Sequence, residues 1–376
     1  AAVNDAPANA GDTAAVNEDT AYSAWGAGSD WGYSDVDSDT MVSITLVSQP
    51  SNGALTETNN ACGGDGCANG DVILLARLAA GDLIYTGTSN YNGADTFTYT
   101  TQDAALSSPT GTMTMTVNAV NDAPVNSLGT ASAVNEDVAN AITGSTIADV
   151  DDTSMTSVQI TADRGTFTLA TSSATYNVGT QGTAASTVTI SGSVTNINVA
   201  IATITWTSAT DDNTNAVITV VTTDSSSAAD TDTIAITVNA VNDAPANAGD
   251  TAAVNEDTAY SAWGAGSDWG YSDVDSDTMV SITLVSQPSN GALTETNNAC
   301  GGDGCANGDV ILLARLAAGD LIYTGTSNYN GADTFTYTTQ DAALSSPTGT
   351  MTMTVNAVDD APTGADWTVS GTEDTA

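Results

Sequence analysis

Apolar residues fall at every second position along much of the chain, with threonine, serine or alanine between them. Thr112-Met113-Thr114-Met115-Thr116-Val117 and Thr233-Ile234-Ala235-Ile236-Thr237-Val238 are the clearest runs. Successive side chains on a strand point to opposite faces, so this spacing makes strands with one face buried and one in water. No long stretch keeps helical spacing, and the runs are short and separated by Gly, Pro, Asn and Asp. In the first third the pattern predicts strands at 13–19, 41–47, 72–78, 83–86, 97–100 and 112–117, with a turn at 50–53 and a loop around Asp103. In the middle third it predicts strands at 158–160, 165–169, 187–190, 201–206 and 216–221, with one short helical turn at 196–200. Roughly seven short strands per unit, with turn signals between them, fit an all-β fold of immunoglobulin-like sandwiches.

One pentapeptide punctuates these strands. Val-Asn-Asp-Ala-Pro stands at Val3 to Pro7, Val120 to Pro124 and Val241 to Pro245, and an altered copy reads Val358-Asp359-Asp360-Ala361-Pro362. Proline has a fixed φ and no N–H, so it cannot extend the sheet before it, while Asn and Asp favour a turn and offer oxygens. The pentapeptide therefore reads as a junction, dividing the chain into units at 1–121, 122–241 and 242–360 and the opening of a fourth at 361–376. Residues 2–120 recur without a change at 240–358, whereas the middle unit shares only the motifs. The order is A, B, A, a tandem array in which the A–B pair is the candidate repeat.

Charge narrows the function classes. The 376 residues hold 45 Asp and Glu against 3 Lys and Arg, with no His and a net charge of −42; the three cations are Arg77, Arg164 and Arg315. Binding nucleic acid or anionic membranes depends on Lys and Arg, so neither is an expected partner. A disordered acidic tail is the alternative, and 41% hydrophobic residues in strand-like alternation argue against it. No apolar run of about 18 residues is present to span a membrane, and the first residues lack the regions of a signal peptide. The sequence reads as a segment of a longer chain.

Cysteines occur as two close pairs, Cys62 with Cys67 and Cys300 with Cys305, each across Gly-Gly-Asp-Gly. Such a loop brings two Cα atoms into disulfide range, which implies an oxidising compartment. Zinc is the alternative, but one Cys pair without His cannot fill four positions. Phe97, Tyr99 and Trp206 sit in alternating strands and are expected in the core. Trp25, Trp31 and Tyr33 lie in a less regular stretch, where a glycan-stacking platform is a second reading.

Acidic motifs recur in fixed order in each unit. An Asn-Glu-Asp comes first (Glu18, Glu136 and Glu256 at its centre), then a spaced cluster (Asp35, Asp37, Asp39; Asp149, Asp151, Asp152; Asp273, Asp275, Asp277), then a late single Asp (Asp103, Asp224, Asp341). The junction supplies Asn4 and Asp5, Asn121 and Asp122, Asn242 and Asp243, and Asp359 and Asp360. Asp at i and i+2 lets a tight loop turn two carboxylates onto one hard cation, and Ca²⁺ takes six to eight oxygens. Asp is also common in turns, but four motifs in constant order exceed that explanation. At about 3.3 Å per residue, the stretch from Pro124 to Glu136 crosses a sandwich and the return strand comes back. The first junction then collects Glu18, Asn121, Asp122, Asp149, Asp151 and Asp224; the second collects Glu136, Asn242, Asp243, Asp273, Asp275 and Asp341. Six such side chains suffice for about one to three calcium ions.

Taken together, Asn-Glu-Asp-Thr, Asp-Val-Asp-x-Asp, Asn-Tyr-x-Gly-x-Asp-x-Phe-x-Tyr (Asn90 to Tyr99), the late Asp and Val-Asn-Asp-Ala-Pro resemble the bacterial cadherin-like tandem repeats of giant surface proteins and adhesins. The middle unit resembles a sister type through Asn196-Ile197-Asn198-Val199-Ala200 ahead of Ile204-Thr205-Trp206. The likeness covers essentially the whole chain and implies an extracellular β-sandwich array with calcium at its linkers. Two departures stand out: the cysteine loop is an addition, and Asn118 fills a linker position that this family gives to Asp.

The function expected from these features is a non-catalytic, calcium-stiffened stalk segment of a bacterial surface fibre or adhesin, its partners being neighbouring repeats. Alternatives are a subunit that polymerises with its own copies into a filament or sheath, and an adhesive module for cell-surface glycan or protein. Catalysis lacks His, Lys and free Cys, leaving only a carboxylate pair of the glycosidase kind. The absence of Lys also excludes Lys–Asn isopeptide crosslinks.

Overall fold

Alternation decides which way each strand faces. In the strand Gly111–Asn118, Met113, Met115 and Val117 are buried while Thr112 and Thr116 face solvent. The computed structural model describes residues 3–362 except Ala27, Ala265 and Asp303, together with Gly364, Thr368, Ser370 and Glu373. The opening of a fourth unit expected at 361–376 thus lies largely outside the described residues.

Three cores of buried side chains form along the chain, drawn from residues 16–117, 134–238 and 254–355. Each is enclosed by a five-stranded and a three-stranded sheet. In the first unit the larger sheet runs Asp12–Asn17, Gly111–Asn118, Gly93–Gln102, Ser43–Ser48, Val72–Leu74, and the smaller runs Ala21–Tyr22, Leu83–Gly87, Gly53–Glu57. The first pairing, Asp12–Asn17 with Met113–Asn118, is parallel, and the other pairings of these sheets are antiparallel. This parallel edge carries Asn17, and with it Glu18, to the end of the sandwich where the chain leaves. Gly11 lets the chain reach that edge: its φ is +73°, and a Cβ there would sit 2.5 Å from the Thr112 carbonyl oxygen.

The middle unit keeps the plan with different parts. Its larger sheet runs Thr175–Val178, Thr187–Ser193, Ser154–Ala162, Ala216–Thr223, Ala229–Ile236, and its smaller runs Asn140–Thr143, Thr203–Thr207, Thr166–Leu169. A helix, Val194–Ile201, replaces the single turn expected at 196–200 and takes Ile201 out of the strand expected at 201–206. Ser193 caps it by accepting from the Asn196 N–H at 3.3 Å. Asn198 pins it to the strand Thr146–Ala148, exchanging two hydrogen bonds with the Ile147 backbone.

Two expectations in the first unit also change. The run at 72–78 is a strand only over Val72–Leu74; Leu75–Ala79 is a short helix. There Leu75 and Leu78 stand three apart, and Leu78 is wholly buried on the helical face. A strand at Gly53–Glu57 begins within the expected turn at 50–53.

Trp25 and Trp31 do not form the expected glycan platform. Trp31 is 0% and Trp25 3% exposed, and their rings pack on each other and on Phe97, so neither offers a face to a sugar. Trp25 Nε1 donates to the Leu83 carbonyl, and the Tyr99 hydroxyl donates to the Trp31 carbonyl. Phe97, Tyr99 and Trp206 are in the core as expected. The cysteines form the disulfides Cys62–Cys67 and Cys300–Cys305, each with Cα atoms 5.1 Å apart, which removes the zinc alternative.

Candidate functional site: the acidic junctions

Backbone N–H groups organise each acidic motif before any ion is considered. At the first junction Glu18 Oε1 accepts from the Val120 N–H at 2.7 Å, and Asp151 Oδ2 accepts from the Asp122 N–H at 2.8 Å. Asp149 Oδ1 accepts from the Asp151 and Asp152 N–H groups, each at 2.8 Å, which is the tight loop that the i, i+2 spacing implied. Asp224 Oδ1 accepts from Ser226 and Ala228, and its Oδ2 accepts from Asn121 Nδ2 at 2.6 Å. Glu18, Asn121, Asp122, Asp149, Asp151 and Asp224 therefore draw on both units and the linker.

The second junction repeats the construction. Glu136 Oε1 accepts from Val241, Asp275 Oδ2 from Asp243, Asp273 Oδ1 from Asp275 and Asp277, and Asp341 Oδ2 from Asn242 Nδ2 at 3.0 Å. Glu136, Asp243 and Asp275 bring carboxylate oxygens within 4.8 Å of one another. Asp277 lines a cavity there with Asn242 and Asp275. At the leading end Asn4 donates to Asp103, Asp37 accepts from Asp5, and Asp35 holds Asp37 and Asp39. At the far end Val358 donates to Glu256, and Asp359 and Asp360 are exposed. Asn118 Nδ2 donates to Asn17 Oδ1 at 3.4 Å, and its carbonyl accepts from the Glu18 N–H.

One oxygen on several of these carboxylates has no partner. Glu18 Oε2, Asp122 Oδ2 and Asp149 Oδ2 at the first junction are shielded from solvent without a hydrogen bond, as are Asp243 Oδ2 and Asp273 Oδ2 at the second and Asp35 Oδ2 at the leading end. Glu18 itself is 3% exposed. Electrostatics agree. Asp122 is pushed up by desolvation and then by Asp19, Asp151, Glu18 and Asp149; Asp243 is pushed up by desolvation and then by Asp211, Asp275, Asp137 and Glu136. The late aspartates move the other way. The Asn121 amide holds Asp224 low, and backbone N–H groups of Leu344 and Ala343 hold Asp341 low.

Three participants were not among the expected ligands. Asp19 and Asp137 follow the junction Glu, and both have left-handed backbone, φ 55° and 60°. Asp211 comes from a loop of the middle unit and groups with Asp137 and Asp243 within 4.8 Å. The Asn-Glu-Asp motif contained the signal for Asp19 and Asp137; nothing in the local sequence marks Asp211.

A family model described as bacterial Ig domain matches residues 4–116 and 242–354. No curated protein matches the chain. Among solved structures, the extracellular cadherin domains 1–5 of protocadherin gamma B2 superpose with a TM-score of 0.44 at 13% identity, over 95% of this chain and 61% of that one. Mouse cadherin-23 domains EC22–24 give 0.40 at 14% identity, over 95% of this chain and 100% of that one.

Proposed function

Because the chain belongs to the bacterial Ig domain family, we propose that it is an extracellular, non-catalytic stalk segment stiffened by calcium at its junctions. The observation that carries this reading is the set of shielded, unpartnered carboxylate oxygens at the first junction: Glu18 Oε2, Asp122 Oδ2 and Asp149 Oδ2. A buried charge without a partner is costly, and these three come from the end of one unit, the linker and the start of the next. Their chemistry fits the group: the donors are all oxygen, the preference of calcium, with no His or thiolate to favour a softer metal.

The residues that would hold calcium are Glu18, Asp122, Asp149, Asp151 and Asp224 at the first junction and Glu136, Asp243, Asp273, Asp275 and Asp341 at the second. Bound there, the ion would neutralise carboxylates that otherwise repel across the linker. The protein's own part is preorganisation. Backbone N–H groups fix one oxygen of most of these carboxylates, and Asn121 and Asn242 anchor the linker to Asp224 and Asp341, so little side-chain freedom is left to lose. Sheet edges also support a stalk over a filament built by edge pairing. The edge strand Ala229–Ile236 carries the exposed Asp232, a charge on the sheet edge that opposes pairing with a second strand.

Calorimetric titration of the full chain with calcium alone tests the reading. Saturable uptake that Asp122→Ala and Asp243→Ala reduce is expected, and a chain that takes up no calcium at millimolar concentration overturns it.

A further inference from the structure

The two junctions share motifs but differ in charge at one position. Asn90 of the first unit and Asp211 of the middle unit are equivalent: both have left-handed backbone, φ 57° and 55°, and both donate their backbone N–H to the Asp after the junction Glu. Asn90 donates to Asp19 Oδ1 at 3.1 Å, and Asp211 donates to Asp137 Oδ1 at 3.3 Å. Each lines a cavity at its own junction, Asn90 one of about 220 Å³ with Asp122 and Asp149, Asp211 one of about 550 Å³ with Asp243 and Asp273. A neutral amide at the first junction thus stands where the second has a carboxylate.

That difference adds Asp211 to one grouping of charge at the second junction. Among the described residues, only the second junction brings three carboxylates within 4.8 Å, and it does so twice: Glu136, Asp243 and Asp275, then Asp137, Asp211 and Asp243. Asp243 belongs to both groups, and its Oδ2 is shielded without a partner. We propose that the second junction binds calcium more tightly than the first, because Asp211 adds a carboxylate beside Asp137 and Asp243. As calcium falls, the hinge between the first and middle units then opens before the hinge between the middle and third. This inference rests on the calcium reading above. Ligand charge count is a main determinant of calcium affinity, and a carboxylate in place of an amide adds a full charge. In the third unit Asn328 again fills the position, with φ 55° and its N–H on Asp257 Oδ1 at 3.2 Å. A chain repeating the A–B pair alternates weak and strong hinges.

Two reciprocal substitutions in the full chain test this. Asn90 and Asp211 are exposed and left-handed, a conformation that both Asn and Asp tolerate, so Asn90→Asp and Asp211→Asn keep the fold, checked by circular dichroism. Calcium titration of the unmodified chain is expected to resolve a tight and a weaker class, above weak uptake at the chain's two ends common to all variants. Asp211→Asn should weaken the tight class roughly tenfold, the scale on which ligand charge moves calcium affinity. Asn90→Asp should move the weaker class toward the tight one. Variants that bind calcium with isotherms identical to the unmodified chain overturn the inequality and leave the calcium reading standing. No uptake by any chain overturns both.

Discussion

Asp122 donates its backbone N–H to Asp151 Oδ2 at 2.8 Å, while its own Oδ2 is buried without a partner. The linker residue is tied to the following unit through its backbone and keeps its charge for the junction. Asp122→Ala keeps the tie and removes the charge. Inter-domain angles between the first two units should spread and calcium uptake should fall, while each sandwich stays within about 0.5 kcal/mol of its original stability, as for substitutions away from a core. Residual dipolar couplings report the angles and denaturant unfolding the stability.

Acid should act on the calcium-free chain in two opposite ways. Asp122 and Asp243 lie above the ordinary 3.8, through desolvation first and neighbouring carboxylates second. Their contribution favours the closed junction below 3.8 and is lost as pH rises through their raised values. Asp103, Asp224 and Asp341 lie below 3.8, so their contribution is present above it and is lost as pH falls through their lowered values. In chelator, junctions should therefore tighten as pH drops toward 3.8, and the loops held by the late aspartates should loosen only below it. Scattering and amide exchange measured across that range separate the two.

The sequence made the strands and the acidic motifs legible for the same reason: both depend on local spacing. Alternation placed Met113, Phe97 and Trp206 inside, and the i, i+2 carboxylates became the loop in which Asp149 accepts from Asp151 and Asp152. What spacing does not encode is tertiary choice. Leu75 to Leu78 has the composition for strand or helix, and the burial of Leu78 decides for helix. Trp25 and Trp31 stand in an irregular, Gly-rich stretch, so nothing local shows that they fold inward onto Phe97. Asp211 reaches Asp137 from 74 positions away, a contact that only the fold creates.

Reducing the disulfide Cys62–Cys67 should cost about 2 kcal/mol, the chain-entropy value for so short a loop. Glu57 keeps the loop partly ordered after reduction, because its carboxylate accepts from the backbone N–H groups of Cys62, Gly64 and Gly66, which also hold its pKa down. Glu57→Gln should therefore lower the melting temperature more in the reduced chain than in the oxidised one. Thermal melts with and without reductant check the difference.

Trp206 is wholly buried, with Nε1 on the Arg164 carbonyl at 2.9 Å. Trp206→Ala should cost the middle unit about 3–5 kcal/mol, the range for large aromatic deletions in a core. The outer units, with cores of their own, should melt unchanged, and calorimetry of the full chain should show one transition shifted among those of three units.

The stalk reading is tested most directly by small-angle scattering of the full chain with calcium and with excess chelator. Calcium should give the longer maximum dimension and the narrower spread of inter-domain angles, and chelator should shorten or broaden the distribution. Identical profiles in the two conditions would contradict the account.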